Sequence, residues 1–304
     1  MKGLILSGGK GTRLRPLTYT RAKQLVPVAN KPVLFYGIEA IAAAGIREIG
    51  IVVGDTQDEI RAAVGDGSRW GVRVEFIEQD APRGLAHAVM ISEEFIGREP
   101  FVVYLGDNLL NRGITHFVEE FALKQPAAQI LLARVPDPEM FGVAELRDGH
   151  VVRLVEKPKE PIGDLALVGV YMFSPDVFES VRRIKPSFRN ELEITDAIQD
   201  LIDRGLTVRP HIVDGWWKDT GRLDDLLEAN RLILDTLERR IDGAVDAKSR
   251  VEGKVVIESG AVLEASVVRG PAIIGRDAKI VRGYVGPFTS IMDGVEIHDS
   301  EIEH

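Results

Sequence analysis

The residues best suited to chemistry lie near the start of the chain. Ser7-Gly8-Gly9-Lys10-Gly11-Thr12-Arg13 follows the apolar run 4–6, and a further cation, Lys23, comes soon after. Three glycines let the backbone fold tightly enough for successive N–H groups to point into one concavity, and Arg13 and Lys23 add full positive charge. That combination suits a polyphosphate. Two common phosphate loops do not fit: Gly-x-x-x-x-Gly-Lys-Ser/Thr would need glycine at Leu4, and Gly-x-Gly-x-x-Gly begun at Gly9 would end on Leu14. Glycine pairs often do no more than turn a strand into a loop. The two cations at this spacing favour a phosphate site over that plainer reading.

Such a loop needs rigid elements to carry it. Apolar runs at 4–6, 49–53, 72–77 and 101–105 alternate with amphipathic helical patterns at 33–44, 58–64 and 85–95. The alternation predicts an α/β fold, a mostly parallel Rossmann-like sheet with helices on both faces. Ligands of such sheets sit beyond the carboxyl ends of the strands. Residues 7–13 lie at one such end and Gly106-Asp107-Asn108 at another, so the fold is expected to bring Asp107 to the phosphate loop. An aspartate there can simply close a turn. Beside a polyphosphate, however, a carboxylate is repelled unless a hard cation lies between them, and Mg²⁺ is usually held by one or two carboxylates plus substrate phosphates. Asp107 is therefore the first candidate metal ligand.

The composition bounds the rest. With 304 residues, 45% of them hydrophobic and 28% charged, the chain has room for one large core and a smaller domain. A net charge of −9 and the lack of any Lys/Arg stripe argue against a nucleic-acid partner. With no cysteine there are no disulfides or thiolate metal sites. The first apolar run stops at Ser7, too short for a signal peptide, and no segment approaches membrane-spanning length, so no membrane association and a cytoplasmic location are expected.

Residues 6–18, then Ala22-Lys23-Gln24-Leu25-Val26-Pro27-Val28 and Lys31-Pro32, closely resemble the sugar-1-phosphate nucleotidylyltransferases, and among them the thymidylyltransferase branch that acts on glucose 1-phosphate. The likeness runs on through Gln79 with Gly84-Leu85-Ala86, Leu105-Gly106-Asp107-Asn108, Glu156-Lys157-Pro158, residues 191–196 and Trp217-Lys218-Asp219-Thr220-Gly221. The resemblance implies transfer of a nucleotidyl group from a nucleoside triphosphate, dTTP or UTP, to a sugar 1-phosphate with release of pyrophosphate. By the family pattern, Leu6, Gly8, Gly9, Gly11, Thr12 and Arg13 would hold the triphosphate, with Arg13 on the departing pyrophosphate and Lys23 near the reacting centre. Lys157 would grip the sugar phosphate, and Asp107 and Asp219 would hold Mg²⁺. Gln24 and Gln79 would face the nucleotide, Gln79 at the base edge with backbone from Gly84 and Leu85. A side-chain amide suits the N3–H and O4 edge of thymine or uracil but can flip, which leaves cytosine open. Gly142, Glu156, Leu167, Gly169 and Tyr171 fall where the family contacts the hexose. Phe141 departs from the tyrosine common there, and Tyr171 has an equal reading as a core aromatic.

Beyond residue 240 the pattern changes. Val256, Val262, Val268, Ile274 and Ile280 recur at every sixth position, and the series then slips by one to Val285, Ile291 and Ile297. That period predicts a parallel β-helix of short repeats. Long forms of the family carry such tails, implying domains at 1–240 and 241–304, the second a short left-handed β-helix that joins subunits into a homo-oligomer. The coil reaches His304 without an obvious polar cap, so it is expected to be shortened or covered by another subunit. Two alternatives stand beside the enzyme: a regulatory homologue that binds nucleotide sugar without turnover, and a bifunctional enzyme with acyl transfer in the coil. The acyltransferase would have only His298 and His304 as candidate bases beyond residue 240.

Overall fold

A computed structural model describes residues 1–9 and 11–303. The chain divides into two compact units, Met1–Leu25 with Val33–Asp219, and Val26–Pro32 with Thr220–His304. The division falls between Asp219 and Thr220, ahead of the boundary at 240/241 drawn from the sequence.

In the first unit the strand Lys2–Leu6 pairs in parallel with Glu48–Val53 on one side and Phe101–Leu105 on the other; Arg73–Glu78 extends the sheet beyond Glu48–Val53. Neighbouring side chains of each strand bury on opposite faces. Leu4, Leu6, Phe101 and Val103 join one core under the helices Leu85–Ile91, Val177–Arg183 and Ile194–Asp203. Ile5, Val102 and Tyr104 join the other, under Val33–Ala43, Gln57–Val64 and Thr115–Lys124. Burial on both faces is why these strands read as unbroken apolar runs. The helix expected over 85–95 is instead two pieces, Leu85–Ile91 and Glu93–Ile96. At the break the Ser92 hydroxyl donates to the Ala88 carbonyl at 2.7 Å, a local bond that competes with the helix.

Past Phe101–Leu105 the sheet turns antiparallel. Leu165–Phe173 pairs with Phe101–Leu105 and with Ala128–Arg134, and its register breaks between Leu167 and Tyr171. The hairpin Gly142–Arg147 and His150–Glu156 lies beside it. Because the strand order reverses between Lys2–Leu6 and Phe101–Leu105, the loops after these two strands open side by side. Ser7 N–H donates to the Val52 carbonyl at 2.8 Å, and Gly106 N–H donates to the Leu6 carbonyl at 2.9 Å.

The second unit contains three parallel sheets stacked as a β-helix. One pairs Val255 with Ala272 and Ala272 with Thr289, 17 residues on each time, and from Arg250 and Val262 onward the other two step alike. Among the inward residues are Val255, Ile257, Leu263, Val268, Ile274, Ile280, Val285, Ile291 and Ile297. This corrects the first two positions of the sequence pattern. Val256 and Val262 are one residue out of phase, and a one-residue shift in a strand reverses the face. Val256 instead packs outward with Ala29, Leu234 and Ile273, which ties the helix Leu223–Thr236 to the coil and explains why that helix belongs to this unit. Leu263→Ala should therefore cost about 2–5 kcal/mol, and Val262→Ala about 1 kcal/mol or less. Urea unfolding of the two variants checks this register; equal losses would contradict it.

Candidate active site

The glycine loop leaves Lys2–Leu6 and passes through Gly11, where the backbone adopts φ +64°. A β-carbon at Gly11 would stand 2.8 Å from Cβ of Lys23, so glycine is needed both for the turn and for the approach of the lysine. Thr12–Leu14 follows as a short 3₁₀ turn that leaves Thr12 and Arg13 exposed. Lys10 lies outside the described residues. Lys23 is buried in another such turn, Lys23–Leu25, where its ammonium donates to Oδ2 of Asp107 and lies 3.9 Å from Oδ1 of Asp219.

The two aspartates meet because of a small antiparallel ribbon. Asn108–Leu110, directly after Asp107, pairs with Trp217–Asp219, and Asp219 stands opposite Asn108. The Asn108 amide donates to Asp107 Oδ1 at 2.8 Å, while its own Oδ1 accepts from Trp217 Nε1 at 2.5 Å. Burial acts to lower the pKa of Lys23, but the charges of Asp107 and then Asp219 outweigh it, and the net direction is upward. For Asp107 burial acts upward, yet the Lys23 charge and the bonds from Lys23 and Asn108 prevail, leaving its carboxyl below the usual range. Lys23 and Asp107 are therefore an ammonium and a carboxylate at neutral pH.

Leu6, Gly8, Gly9, Gln24, Gln79, Gly84, Leu85 and Asp107, all picked from the sequence, line one cavity of about 210 Å³. Gln24 is buried, its Oε1 has no hydrogen-bond partner among the described residues, and its Nε2 lies 3.7 Å from where a β-carbon of Gly9 would stand. Gly84 begins the helix Leu85–Ile91 at φ +101°, and a β-carbon there would lie 2.4 Å from the Leu192 carbonyl oxygen. Gly84→Ala is thus expected to cost roughly 1–3 kcal/mol from backbone strain alone, with a lower thermal midpoint as the readout. An unchanged midpoint would contradict the packing.

The sugar-side candidates form a second group. A β-carbon on Gly142 would touch Thr195 Cγ2 at 2.7 Å, Glu156 Oε2 at 3.0 Å and Leu167 Cδ1 at 3.7 Å, so these four residues share one place. Burial, followed by the charge of Glu193, raises the pKa of Glu156, with Lys157 and Arg189 opposing. Lys157 follows Glu156 at φ +44°, its N–H bonded to the Phe141 carbonyl at 2.9 Å. Gly169 lies at the register break of its strand, where a β-carbon would stand 2.7 Å from Asn108 Oδ1. Tyr171 is a core residue, stacked at 6.0 Å on Phe173, yet Glu156 and Asp107 both act on its hydroxyl electrostatically. Phe141 packs edge-on against Trp217 at 5.4 Å, a contact that needs no hydroxyl.

Three residues were not singled out from the sequence. Arg189 reaches Glu156 at 3.2 Å, Glu191 at 2.9 Å and Glu193 at 3.5 Å. Thr195 has a buried Oγ1 with no hydrogen-bond partner among the described residues, beside Glu156. His87, on the helix behind the cavity, contacts Gln79. Thr195 sits inside a matched block, 191–196, but nothing local marked its side chain. Arg189 and His87 lie outside every block quoted. In the coil, His298 is exposed beside Glu296 at 3.5 Å, and His304 lies outside the described residues.

The family model "Nucleotidyl transferase" matches residues 2–236, which include every residue of both groups. The chain belongs to the nucleotidyl transferase family. Among curated members of that family, it is 57% identical over 304 residues to a glucose-1-phosphate thymidylyltransferase of Streptomyces griseus, covering 100% of this chain and 86% of that one. It is 47% identical over 311 residues to the low-salt glycan biosynthesis nucleotidyltransferase Agl11 of Haloferax volcanii, covering 99% of this chain and 87% of that one. Among solved structures, a UDP-glucose pyrophosphorylase complexed with UDP-glucose superposes with a TM-score of 0.70 at 26% identity, over 77% of this chain and 98% of that one.

Proposed function

We propose that this nucleotidyl transferase joins dTTP, or less readily UTP, to glucose 1-phosphate, giving the nucleoside diphosphate glucose and pyrophosphate. The observation that carries this reading is the pair Asp107 and Asp219 sharing Lys23 where the Gly8–Gln24–Gln79 cavity opens to Asp107. The named relatives supply the substrate class.

The chemistry asks little of a protein nucleophile. A sugar phosphate has its second pKa near 6, so it reaches the site largely dianionic. One of its oxygens bonds to the α-phosphorus, the α–β phosphoanhydride bond breaks, and pyrophosphate departs with the electron pair. What the site must supply is alignment and positive charge for two repelling anions. Arg13, exposed on its turn, receives the departing pyrophosphate, and Lys23 exchanges part of its hold on the carboxylates for the phosphates. Lys157 takes the sugar phosphate. Arg189 holds Glu156 and its neighbours in place, so that Glu156 can accept from hexose hydroxyls near Gly142, Leu167 and Thr195.

The donor set fits Mg²⁺. Asp107 and Asp219 offer hard oxygens around a position that already holds positive charge. Among the described residues no group of three or more His, Cys, Asp or Glu could hold a metal, which suits an ion that completes its shell with water and substrate phosphates. Bound there, Mg²⁺ offsets the charge that builds at the α-phosphate. We assign the coil the left-handed form and a role in joining subunits; no helix among the described residues is long and apolar enough to cross a membrane, and we place the enzyme in the cytoplasm.

The test is pyrophosphate release from dTTP, UTP, CTP and GTP, each with glucose 1-phosphate, with Mg²⁺ and with chelator. Metal-dependent turnover led by dTTP is expected. Turnover led by a purine nucleotide, or undiminished by chelator, would overturn the reading.

A further inference from the structure

The Gln79 side chain is held at its nitrogen end by groups that do not line the cavity with their side chains. Its Nε2 donates to the Gly84 carbonyl at 3.3 Å and meets His87 Nδ1 at 2.9 Å, while its Oε1 is turned toward Gly8, 3.2 Å from where a β-carbon of that glycine would stand. The Gly84 carbonyl can only accept, so the amide atom facing it must be the NH₂. With one hydrogen on Gly84, the other points at His87, and Nδ1 of that ring must then carry a lone pair.

From this geometry we infer that His87, in the tautomer protonated at Nε2, is a positioning residue that locks the Gln79 amide with its oxygen in the cavity and so selects bases presenting an N–H at that edge. The inference rests on the reading of a pyrimidine nucleotide in this cavity and deepens it. A carbonyl oxygen there accepts from N3–H of thymine or uracil. It meets the N3 lone pair of cytosine with a second lone pair, and two acceptors repel. The flip that left cytosine open in the sequence is closed by a residue outside the cavity wall. The surroundings support the neutral ring: His87 is 5% exposed, and burial, then the nearby Arg83 charge, lowers its pKa, with Asp80 opposing. A charged His87 would set Nδ1–H against the amide NH₂ and undo the lock.

The experiment compares kcat/KM for dTTP and CTP, each with glucose 1-phosphate, in the full-length wild type, His87→Leu and His87→Asn. The ratio of the two values does not depend on how much of a variant is folded. Leucine cannot accept the amide hydrogen, whereas the asparagine oxygen can stand close to the place of Nδ1. Loss of one buried hydrogen bond is expected to lower the dTTP-to-CTP ratio about tenfold in His87→Leu. Most of that change should fall in KM for dTTP rather than kcat, because base contacts bind ground state and transition state alike. In His87→Asn the ratio should largely return. A ratio within twofold of wild type in His87→Leu would overturn the lock, and so would an equal fall in both variants. A wild type that used CTP as well as dTTP would overturn the base reading itself, a result distinct from either.

Discussion

Asp107→Asn is expected to cut pyrophosphate release at least about 1,000-fold, since metal-borne charge stabilisation is worth several kcal/mol at the transition state. The substitution preserves size, so the loss measures charge and not shape. Asp107 lies two residues beyond the strand Phe101–Leu105, lines the cavity with Gly8, Gln24 and Gln79, and shares Lys23 with Asp219. With asparagine there, one carboxylate remains for the cation, and a higher Mg²⁺ concentration should be needed for half-maximal rate. Dilution of the wild-type enzyme to match the residual rate, followed by the same Mg²⁺ titration, separates weakened metal binding from contamination. Activity within tenfold of wild type at saturating Mg²⁺ would contradict the role.

The second large effect concerns Lys23. Its side chain is 8% exposed and sits between two carboxylates, so Lys23→Met removes the cation that both share. Breaking a buried ion pair from one side typically costs about 3–5 kcal/mol, and losing one charged donor to a reacting phosphate costs about 100- to 1,000-fold in kcat. Both losses are expected together. If Asp107 and Asp219 hold a divalent cation as proposed, Mg²⁺ or Mn²⁺ should raise the melting temperature of Lys23→Met more than that of the wild type, since it would bind the folded state where the ammonium was. The pH dependence follows from the two directions. The lowered pKa of Asp107 contributes stability above its unfolded value that is lost as pH falls through the folded one, below the usual carboxylate range. The raised pKa of Lys23 contributes stability below its unfolded value that is lost as pH rises through the folded one, above about 10.4. Between these limits the Lys23–Asp107 pair should be insensitive to pH, and a wild-type melting temperature that changed sharply between pH 6 and 9, an effect absent in Lys23→Met, would contradict the assignment.

The parts of the site that were legible in the sequence are those whose chemistry is tied to chain position. Leu6, Gly8, Gly9 and Asp107 sit at the ends of strands whose apolar runs declare them, and the rule that ligands lie beyond those ends brings them together without knowledge of contacts. Asp219 could be reached only by resemblance, because its approach to Asp107 depends on the pairing of Trp217–Asp219 with Asn108–Leu110, three residues on each side with no periodicity to read. Arg189 and His87 were invisible for a related reason. Each acts through another side chain, Glu156 or Gln79, and a partner across the fold leaves no local pattern. In the coil the six-residue spacing was legible, but its phase at Val256 and Val262 was not. An outward valine that packs under the helix Leu223–Thr236 looks, in sequence, the same as an inward one. Tyr171 shows the limit from the other side, since it is at once core aromatic and neighbour of both acidic groups.

The most direct measurement follows the α-phosphate. dTTP labelled at that position is incubated with glucose 1-phosphate, Mg²⁺ and enzyme, and the products are separated. The expected result is label in a nucleoside diphosphate glucose with one pyrophosphate released for each, abolished by chelator and by Asp107→Asn. Label that stays in dTTP, or that appears as dTMP or dTDP with no sugar attached, would contradict nucleotidyl transfer to the sugar phosphate at this site.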